Sequence, residues 1–294
     1  MKIIDTTTYF EEKLMMEVRF NILDPYVDHF IVCESLYTHS GKKKKINFNK
    51  NDYPKFSKKI EHIIVKNEPD DIINKNLLSN KDLRLNSISR IKYQRNFIKS
   101  ALKKFSDQDF IIYSDNDEIP DLSNINFSNI KEKVLIFNQK LFYYKFNLLL
   151  NNVNWFGSKI CQLKNLKTID ELRATKNKKY SLFRLDTYFS NIKHRSLKII
   201  NKGGWHFSNL KKPDDLEKKY LNDENHAEYE EQNINLNRIR KNIKERVINY
   251  NHSAKKNSKD RFNKTKLSLA NLDLLPKYLL DNIKKYKDWI DENP

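Results

Sequence analysis

The chain has 294 residues, a formal net charge of +18, 38% hydrophobic residues and only 4 glycines. At the ordinary usage of about 7% it would carry roughly 20, and the shortage excludes phosphate cradles built from glycine amides: neither a Walker-type loop nor a G-x-G-x-x-G turn occurs. No apolar run approaches the roughly 20 residues of a bilayer span, while 12% aromatic residues supply ample core.

Residues 1–6 read as a short strand. Phe10, Leu14, Met15, Val18 and Ile22 have helical spacing up to Leu23. His29–Cys33 and His62–Val65 are compact apolar runs, expected as buried strands. From Asp82 to Phe105 the pattern is helical, and Phe110–Tyr113 is a strand that ends abruptly in Ser114-Asp115-Asn116-Asp117-Glu118-Ile119-Pro120. This alternation is the rhythm of a parallel sheet with crossover helices. From Val134 to Leu150 the segments become long, β-like and rich in Phe and Tyr. A strand over Ser158–Leu163, a helix over Asp170–Thr175 and a strand at Lys198–Ile200 follow, leading into Gly203-Gly204-Trp205-His206-Phe207-Ser208. After Pro213 the pattern reads as helical to the end, with breaks near Asn222 and Asn257. The expected fold is α/β, with a mostly parallel central sheet flanked by helices and a helical C-terminal extension.

Three segments carry candidate chemistry. Asp115, Asp117 and Glu118 follow a strand, and ligands of parallel sheets bind beyond the carboxyl ends of strands. Carboxylates this close repel one another unless a cation neutralises them, and hard divalent ions pair with both carboxylates and phosphates. The ordinary alternative is an acidic turn before Pro120. In the second segment Gly203 and Gly204 allow a sharp turn and close approach to a ligand, Trp205 offers a face for a sugar to stack on, and His206 can ligate a metal. The third, Glu34–Gly41, also follows a strand and reads equally well as a surface turn.

In this order the segments resemble glycosyltransferase family 17. The resemblance runs from about residue 5 to about 230. It is carried by Phe10–Leu14 with Glu17–Asn21, Val27–Ser35, Thr38-His39-Ser40-Gly41 with Lys44, Tyr93-Gln94-Arg95-Asn96, Ser114–Pro120, Trp155-Phe156-Gly157-Ser158, Gly203–Ser208, and His226 with Glu228 in an H-x-E pattern. All four glycines fall inside these motifs. The resemblance implies a GT-A-like catalytic domain over 1–230, with a donor half over about 1–120 and an acceptor half over about 121–230; the helical extension over 231–294, read from the residue pattern, lies beyond it. It implies an inverting, metal-dependent transfer of a sugar from a nucleotide donor, UDP-N-acetylglucosamine, to a glycan acceptor, and the basic tail adds the expectation that this acceptor is lipid-linked. Asp115 and Asp117 match a DXD motif for Mn²⁺ or Mg²⁺, with His206 a further ligand. Lys44 and Arg95 would offset phosphate charge; Glu34, Asn116, Gly204, Trp205 and His226 would contact donor or substrate. An inverting transfer needs a general base, for which Glu118 and Glu228 are the candidates. Glu12 and Arg19, seven apart on one helix face, would brace the donor loop.

The N-terminus lacks a signal-peptide core, and Cys33 and Cys161 sit in apolar runs expected to bury free thiols, so a cytoplasmic protein is predicted. The basic tail suggests peripheral contact with an anionic inner membrane face. No nucleic-acid motif accompanies the Lys42–Lys45 run, and no specific nucleic-acid partner is expected. A non-catalytic glycan- or nucleic-acid-binding protein using the basic surface is the alternative.

Overall fold

The computed structural model describes residues 1–181, 183–224, 226–231, 234–250, 252 and 263–292. Its first half contains β1 (Ile3–Tyr9), α1 (Lys13–Leu23), β2 (His29–Ser35), β3 (Ile60–Val65), α2 (Asn80–Phe97), α3 (Lys99–Leu102) and β4 (Phe110–Tyr113). These strands run parallel in the order β3-β2-β1-β4. They read as unbroken apolar runs because both faces are buried: Phe30, Val32, Phe110 and Ile112 join one core cluster, and Ile31, Cys33, Ile111 and Tyr113 the other. Cys33 and Cys161 are buried free thiols, as expected. The helical pattern from Asp82 proves to be two helices. It starts two residues early, where Ser79 and Asp82 form a capping box, and it breaks at Ile98.

The second half departs from a mostly parallel sheet. It comprises β5 (Glu118–Pro120), β6 (Val134–Tyr143), β7 (Leu148–Gln162), α4 (Ile169–Ala174), β8 (Leu197–Ile200) and β9 (Gly204–Ser208). The sheet continues β4-β7-β6-β9-β5. β7 is antiparallel to both β4 and β6, β5 is antiparallel to β9, and β6 is parallel to β8 and β9. The sheet is therefore mixed. The physical reason is the short turn between β6 and β7, which can join only antiparallel neighbours.

Helix does not persist to the end. α5 (Pro213–Tyr220), α6 (His226–Glu231) and α7 (Leu236–Lys244) are followed by β10 (Val247–Ile248), β11 (Thr265–Lys266), β12 (Ser268–Leu269) and α8 (Lys277–Asp281); the expected break at Asn257 lies outside the described residues. β12 adds to β7, Ala270 N donates to Asn147 O at 2.8 Å, and Tyr286 packs on Phe146. Residues 265–269 alternate around a buried Leu267, a period-two signal too short to stand out in a polar tail. No helix among the described residues is long and apolar enough to cross a membrane.

Candidate active site

The acidic loop leaves the C-terminal end of β4 and re-enters the sheet as β5. It is braced from below by α1. Arg19 is fully buried and donates to both oxygens of Asp5, at 2.8 and 2.6 Å, and to Glu118 O at 2.6 Å. Glu12, just ahead of α1, accepts from the Asn116 side chain at 2.9 Å. Both residues thus brace the loop, but not from one helix face as expected: Arg19 acts from α1, and Glu12 from the non-helical cap position before it.

Asp115 and Glu118 share Arg173, whereas Asp117 has separate partners. Asp115 accepts from Arg95 at 3.1 Å, from Arg173 at 3.1 and 2.9 Å, and from the Tyr113 hydroxyl at 2.9 Å. Burial works against its charge, but the two guanidiniums outweigh it and hold Asp115 far below the usual carboxylate range. Glu118 accepts at one oxygen from Trp155 Nε1 at 2.7 Å and Arg173 Nη2 at 2.8 Å, and at the other from Asp115 N at 3.2 Å. Its partners cover it almost wholly, yet it still lines the smaller of the two cavities described below. Asp117 lies 3.3 Å from His206 Nε2; burial raises its pKa, yet His206 and Lys219 prevail and lower it. His206 Nδ1 is buried without a hydrogen-bond partner, and the imidazole tilts against Trp155 at 4.5 Å between centroids.

Other expected residues fall elsewhere. Glu34 is fully buried, paired with Lys44 and accepting from Asn47 N at 2.8 Å and Phe48 N at 3.0 Å; it fastens the 44–48 segment instead of meeting a nucleoside. Trp205 and His206 are adjacent in β9, and successive strand residues point to opposite faces. His206 takes the site face; Trp205 packs on the core and donates from Nε1 to Leu274 O at 2.7 Å, so it is no sugar platform. Gly204 has φ +118° and pairs with Pro120, where a Cβ would meet Ile119 O at 2.2 Å, so its role is to seat β5. His226 is buried at the start of α6 with Nδ1 2.9 Å from Asp223 O. The side chain of Glu228 lies outside the described residues.

Two adjoining cavities result. One, of about 360 Å³, is lined by Lys44, Arg95, Asn116, Asp117, Arg173 and His206 among others. The second, of about 430 Å³, is walled by Tyr143, Tyr144, Tyr220, Tyr229 and Tyr250. Trp155, Lys219, Asp223 and Glu224 line both.

The sequence model of glycosyltransferase family 17 matches residues 1–291. The chain belongs to this family. Among solved structures it is similar to HddC from Yersinia pseudotuberculosis, with TM-score 0.31 and 13% identity, covering 68% of this chain and 90% of that one. It is also similar to HddC complexed with GMP-PN, with TM-score 0.29 and 10% identity over the same shares. No curated protein matches it. Family 17 membership makes the chain a glycosyltransferase, acting on a sugar donor and a glycan acceptor.

The divalent cation that the family 17 motif implies fits part of the expected ligand set. Asp117 and His206 present a carboxylate and an imidazole side by side. Asp115 does not fit, because both of its oxygens are taken by arginine and tyrosine donors. Among the described residues no three His, Cys, Asp or Glu side chains converge as a ligand set. The protein would supply two ligands, one carboxylate oxygen and one imidazole nitrogen, and would leave the other positions to substrate phosphate and water.

Sequence reading missed Arg173, Lys219, Trp155's dual role and Asp223. A signal for the first was present. Only eleven of the 56 basic residues are arginine, and Arg19, Arg95 and Arg173 all meet the 115–118 loop. Where lysine is the default cation, an arginine marks a place that needs its planar fork.

Proposed function

We propose that this family 17 enzyme transfers N-acetylglucosamine from UDP-N-acetylglucosamine to a hydroxyl of a glycan acceptor with inversion. The donor sugar is carried over from the family; the observation that supports diphosphate binding is the wall of the smaller cavity. There Arg95, Arg173, Lys44 and Lys219 surround the strand-end carboxylates, and Arg173 Nη1 makes no hydrogen bond to a described residue, leaving a donor for a phosphate oxygen. With so few glycine amides to cradle phosphate, such side chains are the fitting substitute. Asp117 and His206 would hold Mn²⁺ or Mg²⁺. When bound, that ion would offset charge building on the departing nucleoside diphosphate.

The acceptor is assigned to the tyrosine-lined cavity, whose rings suit the apolar faces of sugars. The general base belongs where the cavities join. Asp223 lines both, with His39 Nδ1 3.9 Å from its carboxylate. Burial alone would raise its pKa, but His39 and Lys219 lower it, keeping the carboxylate ionised to accept the acceptor's proton. In this reading Glu118 fixes Arg173 and Trp155.

A panel of sugar nucleotides tests the proposal. Hydrolysis and transfer are measured with and without Mn²⁺ for wild type, Asp117→Ala and Asp223→Asn. Metal-stimulated hydrolysis lost in Asp117→Ala is expected, with donor binding kept and transfer lost in Asp223→Asn. Hydrolysis indifferent to both metal and Asp117→Ala would refute the metal site, and absence of donor binding would remove the donor assignment.

A further inference from the structure

The segment between α4 and β8 presents large apolar side chains to water. Phe183 is 92% exposed, Phe189 90%, Leu185 71% and Tyr188 68%. They do not sit on an unstructured tail. Lys176 N donates to Ile192 O at 2.7 Å across the base of the loop, and Tyr188 N donates to Leu185 O at 3.0 Å at its tip. The polar groups of the tip are turned on one another: Arg184 holds Asp186 through two hydrogen bonds of 2.8 Å, Lys193 reaches Asp186 at 2.7 Å, and Arg195 donates to Thr187 Oγ1 and Arg184 O while lying 3.9 Å over the Tyr188 ring. A hydrogen-bonded loop that satisfies its polar groups inwardly and displays its phenyl rings outwardly carries a surface in need of a partner.

Charge identifies the partner. Between 176 and 196 the cations are Lys176, Lys178, Lys179, Arg184, Lys193 and Arg195, against the single acid Asp186. Beneath the loop a hollow of about 300 Å³ is lined by Lys133, Lys167, Lys193 and Arg195 against the single acid Glu171. Apolar side chains ringed by Lys and Arg, beside a basic hollow of headgroup size, match the two requirements of an anionic bilayer surface, apolar insertion and phosphate contact. We propose that residues 183–189 insert into the interface of an anionic membrane and seat the enzyme there. The loop begins directly after α4, whose Arg173 holds Asp115 and Glu118, and buried Lys159 ties the Arg173 and Thr175 carbonyls together. A docked loop thus anchors the element that carries a site residue, an arrangement suited to an acceptor presented at a lipid surface. That last step rests on the transferase reading; docking itself does not depend on donor chemistry.

The test is flotation of the full chain with vesicles of phosphatidylcholine alone or with about one third phosphatidylglycerol. Phe183→Ser/Phe189→Ser is compared with wild type, with sugar-nucleotide hydrolysis in solution as the control for folding. Wild type is expected to float with the anionic vesicles only, and the variant to bind more than about tenfold more weakly with hydrolysis unchanged. A wild type that stays in solution would overturn the proposal, as would a variant that floats equally well, since the basic tail would then account for binding. A third variant, Leu185→Ser/Tyr188→Ser, should show the same loss; full binding by it would also count against insertion.

Discussion

Arg19 offers a way to separate the stability of the domain from the geometry of its acidic loop. Its guanidinium is 0% exposed, bonded to Asp5 at 2.8 and 2.6 Å and to the Glu118 carbonyl at 2.6 Å. Arg19→Met fills much of the volume but leaves the Asp5 carboxylate, 1% exposed, buried without its partner. Removing one member of a buried pair costs about 3–5 kcal/mol, a large share of a domain stability of about 5–15 kcal/mol. Asp5→Leu/Arg19→Met removes both charges, a change that is commonly near neutral. What then remains is the orphaned Glu118 carbonyl, at about 1–3 kcal/mol. The expected order in urea unfolding is wild type, then the double variant, then Arg19→Met, with a common slope against denaturant. Hydrolysis of the sugar nucleotide, measured well below every transition, should stay low in both variants because the loop has lost its brace. A double variant with wild-type hydrolysis would refute the bracing role, and a single variant as stable as wild type would refute the buried-charge argument.

Lys159 is pushed down to about 7 by burial, with help from neighbouring Arg173. Its folded pKa is lowered from 10.5, so between about pH 7 and 10.5 the unfolded chain holds the extra proton and stability rises with pH. The slope is about 1.4 kcal/mol per pH unit, and the difference between wild type and Lys159→Met in urea midpoints at pH 7, 8 and 9 should show it; a constant difference would count against a neutral buried amine. Gly204→Ala should cost about 3 kcal/mol or more, since φ is +118° and the new methyl would lie 2.2 Å from Ile119 O; an unchanged melting temperature would contradict the β5–β9 seating. Tyr220 stacks on Tyr229 with centroids 4.3 Å apart, and Tyr220→Ala should raise acceptor KM about tenfold with donor KM constant. An equal rise in both would remove the acceptor assignment from that cavity.

The parallel half of the fold was legible because burial on both faces leaves short unbroken apolar runs, and Phe110–Tyr113 was located to the residue. The mixed half was less so. Its pivot, the turn between Tyr143 and Leu148, has no glycine, and only Lys145 and Asn147 interrupt the large apolar residues around it. The acidic motif was legible from composition at a strand end. Its chemistry was not, because what Asp115 does depends on Arg173, 58 residues away on a helix that spacing cannot connect to it. Trp205 shows the opposite failure. Sugar stacking by Trp205 and metal ligation by His206 would need both side chains on one face, and the two-residue period of the strand forbids that.

The scarcities of glycine and arginine bear on the same physical problem. A cleft that receives a diphosphate must present oriented N–H groups before the ligand arrives, since reorienting them on binding would cost affinity. Glycine loops do this with backbone amides, and this chain, with 4 glycines, has no such loop. Arginine does it with a rigid fork, provided something fixes the fork in place. Asp115 is that fixture: it holds Arg95 at 3.1 Å and Arg173 at 2.9 Å while Glu118 takes Arg173 at 2.8 Å. On the proposed function, the first aspartate would serve the phosphates through its arginines, and the second, beside His206, would be the one left to face a cation. Asp115→Asn and Asp117→Asn should therefore fail differently. The first should weaken donor binding whether or not metal is added, because loosened guanidiniums are not restored by an ion; the second should abolish the response to metal. Identical metal titrations for the two variants would show that the aspartates act as one ligand set after all.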